Sequence, residues 1–139
     1  PALFTIVTEG DVSWGNMIYY WGAGNHSTIE PERNATFGEE DAIIDEFQKM
    51  KQKFIDKGIP VILGEYAVWR RNAINNANYL PKDMAMHNKS VDYWSYFLTK
   101  QAKAHGLMPF WWEIGFMLDR SNNVVKDQPM YDAIVEGYK

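Results

Sequence analysis

The stretch from Ile59 to Ala67 constrains the fold of this chain most strongly. Lys57-Gly58 ends a helical pattern, and apolar residues then run without alternation up to Gly64. Such a run predicts a strand that is buried on both faces, as in a parallel sheet covered by helices. Glu65 stands at the carboxyl end of this strand, where ligands and catalytic groups gather in α/β folds. The residues alone leave two interpretations open: Glu65 marks a site, or it begins a solvated loop.

Helices and strands alternate along the rest of the chain. The spacing of Thr36 and Glu39 is that of a capping box, and the apolar residues that follow have a helical period. The predicted elements are an extended segment over 3–8, a helix over 38–56, a strand over 59–64, a helix capped by Asn88 or Ser90, a strand over 107–112 and a short helix beginning near Pro129. Alternation of this kind implies parallel strands. Two full strands cannot close a barrel or fill a doubly wound sheet, so the sequence predicts the end of a larger domain.

Composition excludes several classes of function. The 139 residues carry a formal charge of -4, with 18 acidic and 14 basic residues and no basic run, which argues against nucleic acid or an anionic membrane as partner. No apolar run approaches the roughly 18 residues of a membrane span. With no cysteine there are no disulfides, and no histidine has metal-ligand spacing, so neither a metal nor another cofactor is predicted.

Aromatic residues are the unusual feature of the composition. They make up 15% of the chain, including six Trp and eight Tyr. Many lie in two irregular stretches, 9–36 and 66–87, where a core cannot easily absorb them. Stacking on a flat, weakly charged ligand such as a sugar would explain them.

Three motifs carry a resemblance to a known family. They are Gly64-Glu65-Tyr66 at one strand end, Trp112-Glu113-Ile114-Gly115 at the next, and Leu118-Asp119-Arg120 shortly after. With them, the chain resembles the carboxyl-terminal part of glycoside hydrolase family 5, and its bacterial endoglucanases in particular. The resemblance implies an α/β fold, the carboxyl-terminal portion of a (β/α)8 TIM barrel with strands 7 and 8 and helices 6 to 8. Residues 1–139 would then form one part of the catalytic domain, beginning just after barrel strand 6.

The resemblance also assigns roles to residues. Glu65 matches the nucleophile of a retaining mechanism, and Trp112 matches the tryptophan that stacks under the sugar at the -1 subsite. The other candidates for substrate binding are Trp14, Trp21, Trp69, Asn25, His26 and Glu113. Ile114 replaces an asparagine that is common in relatives, so any hydrogen bond made by that asparagine is absent here.

The acid/base residue of the family is not found in this sequence. Its motif, Asn-Glu followed by Pro, does not occur; Ile29-Glu30-Pro31 lacks the Asn and lies in a loop. Glu113 lies on the neighbouring strand end, within possible reach of Glu65, but relatives do not use the acidic residue there as the acid. Retaining hydrolysis needs two carboxyl groups about 5 to 5.5 Å apart. The chain alone is therefore expected not to hydrolyse glycosides.

The resulting hypothesis is a part of a retaining endo-β-1,4-glucanase that acts on β-linked polysaccharide or oligosaccharide. Its partner would be the amino-terminal part of the same barrel, and its location secreted, periplasmic or at a bacterial cell surface. The rival is a non-catalytic, aromatic-lined glycan-binding domain, which has less need of a carboxylate at a strand end.

Other polar residues are not assigned to a site. His87 and His105 are expected in solvated positions and the Arg70-Arg71 pair at the surface. Asp119 and Arg120 are expected to form an ion pair that fixes their loop.

Overall fold

A computed structural model of the protein describes residues 18–73, 79–113 and 115–139. Its elements are helix α1 (Glu40–Lys53), strand β1 (Ile62–Tyr66), helix α2 (Met84–Ala104), strand β2 (Met108–Trp111), strand β3 (Leu118–Asp119), strand β4 (Val124–Val125) and helix α3 (Gln128–Tyr138). Strands β1 and β2 pair in parallel, while β3 and β4 form a small antiparallel hairpin. The predicted alternation of helices and strands is confirmed from α1 onward. The extended segment predicted at 3–8 lies outside the described residues.

Both predicted helix caps are wrong. The side chain of Glu39 caps nothing at the start of α1; its carboxylate instead accepts a hydrogen bond from the backbone N–H of Gly22, at 2.8 Å. Helix α2 begins before Asn88 and Ser90, and Asp83 caps it by accepting a hydrogen bond from the N–H of Met86, at 3.1 Å. Side chains that can cap a helix can equally bind distant backbone, and sequence spacing does not distinguish the two uses.

The core lies between the helices and one face of the β1–β2 sheet. Its buried members include Trp21, Ile43, Phe47, Tyr66, Val68, Val91, Trp94, Leu98, Leu107, Met117 and Met130. Trp94 thus lies in the core, as its position on a helix face indicated. None of the helices in the described ranges is both long and apolar enough to cross a membrane.

The other face of the sheet is open, which corrects the prediction of a strand buried on both faces. Ile62 is 59% exposed and Phe110 56% exposed, and Met108 is exposed beside them. Helices cover only one side of the two strands in the described part of the chain. The apolar run thus correctly predicted a strand. The described residues cover only one of its two faces.

Helix α3 packs closely on α2 at Gly137. A Cβ atom added to Gly137 would lie 2.5 Å from the carbonyl oxygen of Tyr96 and 3.1 Å from Cβ of Thr99. These distances are too short for any side chain, so the glycine sets the separation of the two helices. That contact fixes α3, the carboxyl-terminal helix, against α2.

We therefore expect Gly137→Ala to destabilise the protein by roughly 1 to 3 kcal/mol through overpacking. Helix propensity alone predicts the opposite sign, a stabilisation of about 1 kcal/mol. Urea unfolding followed by circular dichroism measures the difference. Gly24→Ala is the matched control, since nothing lies within 4 Å of the added Cβ there. An equal effect of the two substitutions would contradict the close packing of α3 on α2.

Candidate active site

Strand β1 contains an irregularity immediately before its end. Leu63 pairs with Pro109, but the next pair is Tyr66 with Trp111, so β1 has one more residue than β2 between these pairs. The extra residue lies within Gly64-Glu65, opposite Phe110. A bulge of this kind reverses the alternation of side chains beyond it and is common next to active sites.

The bulge turns Glu65 toward the open face. Without it, strict alternation would place Glu65 on the side of Leu63, under the helices, and Tyr66 on the side of the exposed Ile62. The observed burial is the reverse: Glu65 is exposed and Tyr66 is buried. Glu65 thereby shares the open face with Phe110 and Trp112, which follow each other at strand spacing on β2 and beyond it.

Tyr66 secures this arrangement from the buried side. Its hydroxyl lies 2.8 Å from Oγ1 of Thr99 on α2, and Thr99 in turn donates to the carbonyl of Ser95 at 2.7 Å. Tyr66 is therefore the donor in the first bond. Its ring packs edge-to-face on Trp111, with centroids 5.2 Å apart, and its carbonyl accepts a hydrogen bond from the N–H of Trp112 at 2.9 Å. These contacts hold the ends of β1 and β2 side by side.

The carboxylate of Glu65 has no hydrogen bond or ion pair with any described residue, and it is exposed at the carboxyl edge of the sheet. A carboxylate in this position is accessible to a ligand that lies across the strand ends. Its oxygens are free to act as a nucleophile or as acceptors for sugar hydroxyls.

Trp112, Trp69 and Glu113 line one crevice at the same edge, together with Phe116. The indole of Trp112 is 46% exposed. Trp69 and Phe116 are stacked, with centroids 6.0 Å apart and planes at 21°. Three of the candidates from the sequence are thus brought together. Phe116 was missed because a single aromatic residue in an irregular loop has no periodic signal.

Glu113 holds the loop that follows β2. Its carboxylate accepts hydrogen bonds from the backbone N–H groups of Gly115, Met117 and Leu118. A carboxylate used in this way organises a turn and is engaged as an acceptor. Glu113 therefore lines the crevice chiefly as a structural residue.

Two candidates for sugar contact, Trp21 and Asn25, are buried instead of lining the crevice. Trp21 is fully buried; its indole N–H donates to the carbonyl of Gly38 at 2.9 Å, and its ring packs on Tyr93 and Phe97. Asn25 is buried as well, and its amide donates to the carbonyl of Trp21 at 3.3 Å.

The remaining candidates are not part of the crevice. His26 is partly exposed, and its Nε2 lies 2.8 Å from the carboxylate of Glu39, away from the residues that line the crevice. Trp14 and Ile114 lie outside the described residues.

Arg70 is not a surface charge, contrary to the prediction. Its guanidinium donates to Asp127 at 2.6 Å, to Asp92, and to the side-chain oxygen of Asn88 at 3.2 Å. Burial alone would lower the pKa of Arg70, but the hydrogen bonds with Asp127 and Asp92 outweigh burial and raise it. Arg70 thus ties the segment after β1 to α2 and to Asp127, the N-cap residue of α3.

We expect Arg70→Ala to destabilise the protein by roughly 3 to 5 kcal/mol, since it leaves two partly buried carboxylates without their partner. Thermal or urea unfolding measures the change. The matched control is Lys49→Ala, which removes an exposed pair with Glu46 and should leave the free energy of unfolding nearly unchanged. A loss for Arg70→Ala as small as that of the control would show that the three contacts contribute little.

His87 and Arg71 are also buried, which corrects their expected solvated positions. The N–H of Arg71 donates to Nε2 of His87 at 3.1 Å, so Nδ1 carries the proton and donates to the carbonyl of Tyr19 at 2.8 Å. The guanidinium of Arg71 lies over the Tyr19 ring, 4.8 Å from its centroid. Burial lowers the pKa of His87 to about 4. His105 is half-buried, with Nδ1 donating to the carbonyl of Gln101.

His87 should therefore make the stability of the protein depend on pH. Its unfolded pKa is near 6.5 and its folded pKa is about 4, so the unfolded state binds the proton first as the pH falls. The stabilisation is complete above pH 6.5 and is lost as the pH falls toward 4, by about 3 kcal/mol in total at 1.36 kcal/mol per pKa unit.

The measurement is urea unfolding of the protein and of His87→Gln at several pH values between 4 and 7.5. Subtracting the two curves cancels the carboxylates that titrate in both proteins. The difference should shrink steadily below pH 6.5. A difference that does not vary with pH would contradict a neutral, buried His87.

The loop at Asp119 is fixed by hydrogen bonds to the Asp119 carboxylate. The side-chain amide of Asn122 donates to it at 2.9 Å, and the backbone N–H groups of Asn122 and Ser121 donate at 3.1 and 3.0 Å. The side-chain bond from Asn122 is the main cause that lowers the pKa of Asp119, and the backbone bonds add to it. No ion pair with Arg120 is present, so that prediction is wrong. In the ranges that the structure describes, no group of three His, Cys, Asp or Glu side chains could hold a metal ion.

Comparison with known proteins agrees with this geometry. The family model for cellulase (glycosyl hydrolase family 5) matches residues 19–117. Endoglucanase A of Paenibacillus barcinonensis is 30% identical over 127 residues, which cover 86% of this chain and 29% of that protein.

Solved structures show the same relationship. A family 5 xyloglucan-specific β-1,4-glucanase from a ruminal metagenomic library, solved in complex with XXLG, superposes with a TM-score of 0.78 at 30% identity, covering 99% of this chain and 36% of that one. A family 5 xyloglucanase from Paenibacillus pabuli gives a TM-score of 0.69 at 29% identity, covering 88% of this chain and 33% of that one. A family 5 xyloglucanase of Bacteroides ovatus, at 23% identity and a TM-score of 0.79, shows the shared fold.

The matches define the class of fold: the chain has the fold of part of a (β/α)8 barrel, with a carboxylate and a tryptophan at the carboxyl ends of its parallel strands. It belongs to glycosyl hydrolase family 5, the cellulase family, which confirms the resemblance seen in the sequence. It spans about a third of the length of the relatives it matches.

Proposed function

We propose that this chain is the carboxyl-terminal part of a retaining endo-β-1,4-glucanase, with β1 and β2 as barrel strands 7 and 8 and Glu65 as the nucleophile. The bulge at Gly64-Glu65 carries the proposal, because it turns the carboxylate to the open face that Trp112 also borders. In this mechanism Glu65 attacks the anomeric carbon, the bond to the leaving oxygen breaks, and water then hydrolyses the glycosyl-enzyme intermediate.

The acid/base carboxyl group would come from the amino-terminal part of the same barrel. Glu113 is the acidic neighbour at the next strand end, but its oxygens accept three backbone hydrogen bonds, which makes it a poor proton donor. Its role in the proposal is to fix the loop beside Trp112. Hydrolysis then requires both parts of the barrel.

The open sheet face supports the same partner. Ile62, Met108 and Phe110 are apolar and exposed. Each would contribute roughly 1.5 to 3 kcal/mol if it were fully buried. In a closed barrel this face is the packed interior, so the amino-terminal strands would cover it.

The proposed substrate is a glucan with a β-1,4-linked backbone. The relatives near 30% identity are named as an endoglucanase, a xyloglucan-specific β-1,4-glucanase and a xyloglucanase. A polymer of this kind is too large to enter a cell, so we place the enzyme outside the bacterial cytoplasm. Comparing sugar release from xyloglucan, carboxymethylcellulose and mixed-linkage glucan would identify the preferred polymer.

The nucleophile can be tested by covalent trapping in the complete protein that carries this chain. A dinitrophenyl 2-deoxy-2-fluoro-β-cellobioside has a leaving group that needs no acid assistance, while its fluorine slows hydrolysis of the intermediate. We expect the sugar on tryptic peptide 58–70. Glu65 is the only carboxylic side chain in that peptide, so the mass of one peptide identifies the residue.

Glu65→Gln should abolish both the adduct and glucan hydrolysis, with activity reduced at least about a thousandfold, while the affinity for glucan remains. Glu46→Gln, an exposed carboxylate on α1, is the control and should leave labelling unchanged. An adduct on another peptide, or hydrolysis that survives in Glu65→Gln, would refute the assignment. Binding without any hydrolysis by the unaltered protein would favour the rival, a glycan-binding domain.

A further inference from the structure

A second aromatic surface lies beside Trp112, formed by residues of two different loops. Phe116, in the loop after β2, is stacked on Trp69, in the segment after β1. Both rings line the crevice that Trp112 borders. The pair therefore extends the aromatic surface beyond the ring of Trp112.

The two rings of this pair are not equally available. Trp69 is engaged by Phe116 and also by the guanidinium of Arg71, which lies 5.4 Å from the indole centroid. Phe116 keeps 53% of its surface exposed. The ring that can meet a ligand is thus Phe116, and Trp69 supports it from behind.

We propose that Phe116, supported by Trp69, is a binding platform for a neutral pyranose ring of the substrate, next to the ring that rests on Trp112. This proposal rests on the proposed function and adds a subsite to it. Phe116 is not a catalytic residue in this scheme, and Trp69 is a positioning residue.

The charge and size of the crevice indicate this occupant. Its one acidic lining residue, Glu113, is saturated by backbone N–H groups, and the other lining residues carry no charge. Charged residues line the larger cavity on the other side of Trp69 and Phe116, but Arg70 pairs with Asp92 and Asp127 there, and Lys126 donates to the carbonyl of Gly115. The apolar face of a neutral pyranose matches the exposed aromatic ring. The crevice is small, with a volume of about 30 Å³. A sugar therefore cannot enter and must lie across the rings, as in a groove for a long polymer.

The frame behind the platform is rigid. Arg70 and Arg71, the residues next to Trp69, are held by Asp127, Asp92 and His87. Glu113 holds the backbone at Met117, the residue after Phe116. Both loops are thus fixed before a ligand binds, which reduces the entropy lost on binding.

The test is calorimetric binding to the complete protein in a Glu65→Gln background, so that no ligand is hydrolysed. Phe116→Ala should weaken binding of cellohexaose about tenfold, near the upper limit for one aromatic contact. Phe116→Tyr should restore it. Cellobiose is too short to contact both Phe116 and Trp112. Its affinity for the Phe116→Ala protein should therefore be within about twofold of its affinity for the background protein. Because Phe116 is half exposed, the melting temperature of the Phe116→Ala protein should be almost the same as that of the background protein.

Tyr138→Ala is the matched control. Tyr138 is also 53% exposed, but it lies against Lys103 near the end of α2, at the amino end of β2 and thus at the opposite edge of the sheet. Its removal should not affect binding. Unchanged affinity for cellohexaose in Phe116→Ala would overturn the platform and leave the proposed function intact. Failure of the background protein to bind any β-glucan would overturn both.

Discussion

The contact between Tyr66 and Thr99 is the constraint on which the site depends. Tyr66 can reach under α2 only if the strand is reset by one residue, and the bulge at Gly64-Glu65 provides that reset. The same shift turns Glu65 outward. Packing in the core and exposure of the carboxylate are thus two results of one backbone irregularity, and neither arises from local preferences of the glutamate itself.

A second, polar set of contacts gives the segment after β1 its course. Arg70 is held by the carboxylates of Asp127, the N-cap residue of α3, and of Asp92 on α2, and the N–H of Arg71 donates to His87. Buried polar groups are stable only when their partners are in place, so the segment has one arrangement rather than many. Trp69 stands immediately before this fixed pair. Its stacking with Phe116 then joins the loops of two strands across the carboxyl edge of the sheet.

The sequence predicted the elements whose signals are local. The helical period, Gly58 before β1 and the two apolar runs predicted the order of helices and strands, and parallel pairing placed Glu65 and Trp112 at one edge. It failed where a side chain is defined by distant partners. Trp21 is buried because its backbone N–H donates to Ser90 and its ring packs on Tyr93, both on α2. Arg70 is held below the surface by its hydrogen bond with Asp127. An aromatic or basic residue in an irregular stretch has the same local pattern whether it faces solvent or the core.

The open face of the sheet changes in composition along the strands, and Glu65 lies where it changes. Antiparallel sheets that face water on one side alternate apolar and polar residues, yet Ile62, Met108 and Phe110 are apolar on the uncovered side. This composition suits a barrel interior. At the carboxyl edge the same face changes to a carboxylate and an exposed indole. The bulge lies at that boundary. Residues on its amino-terminal side are therefore suited to packing, and residues on its carboxyl-terminal side are suited to contact with a ligand. The residues that the structure describes carry both features without the strands that would enclose them.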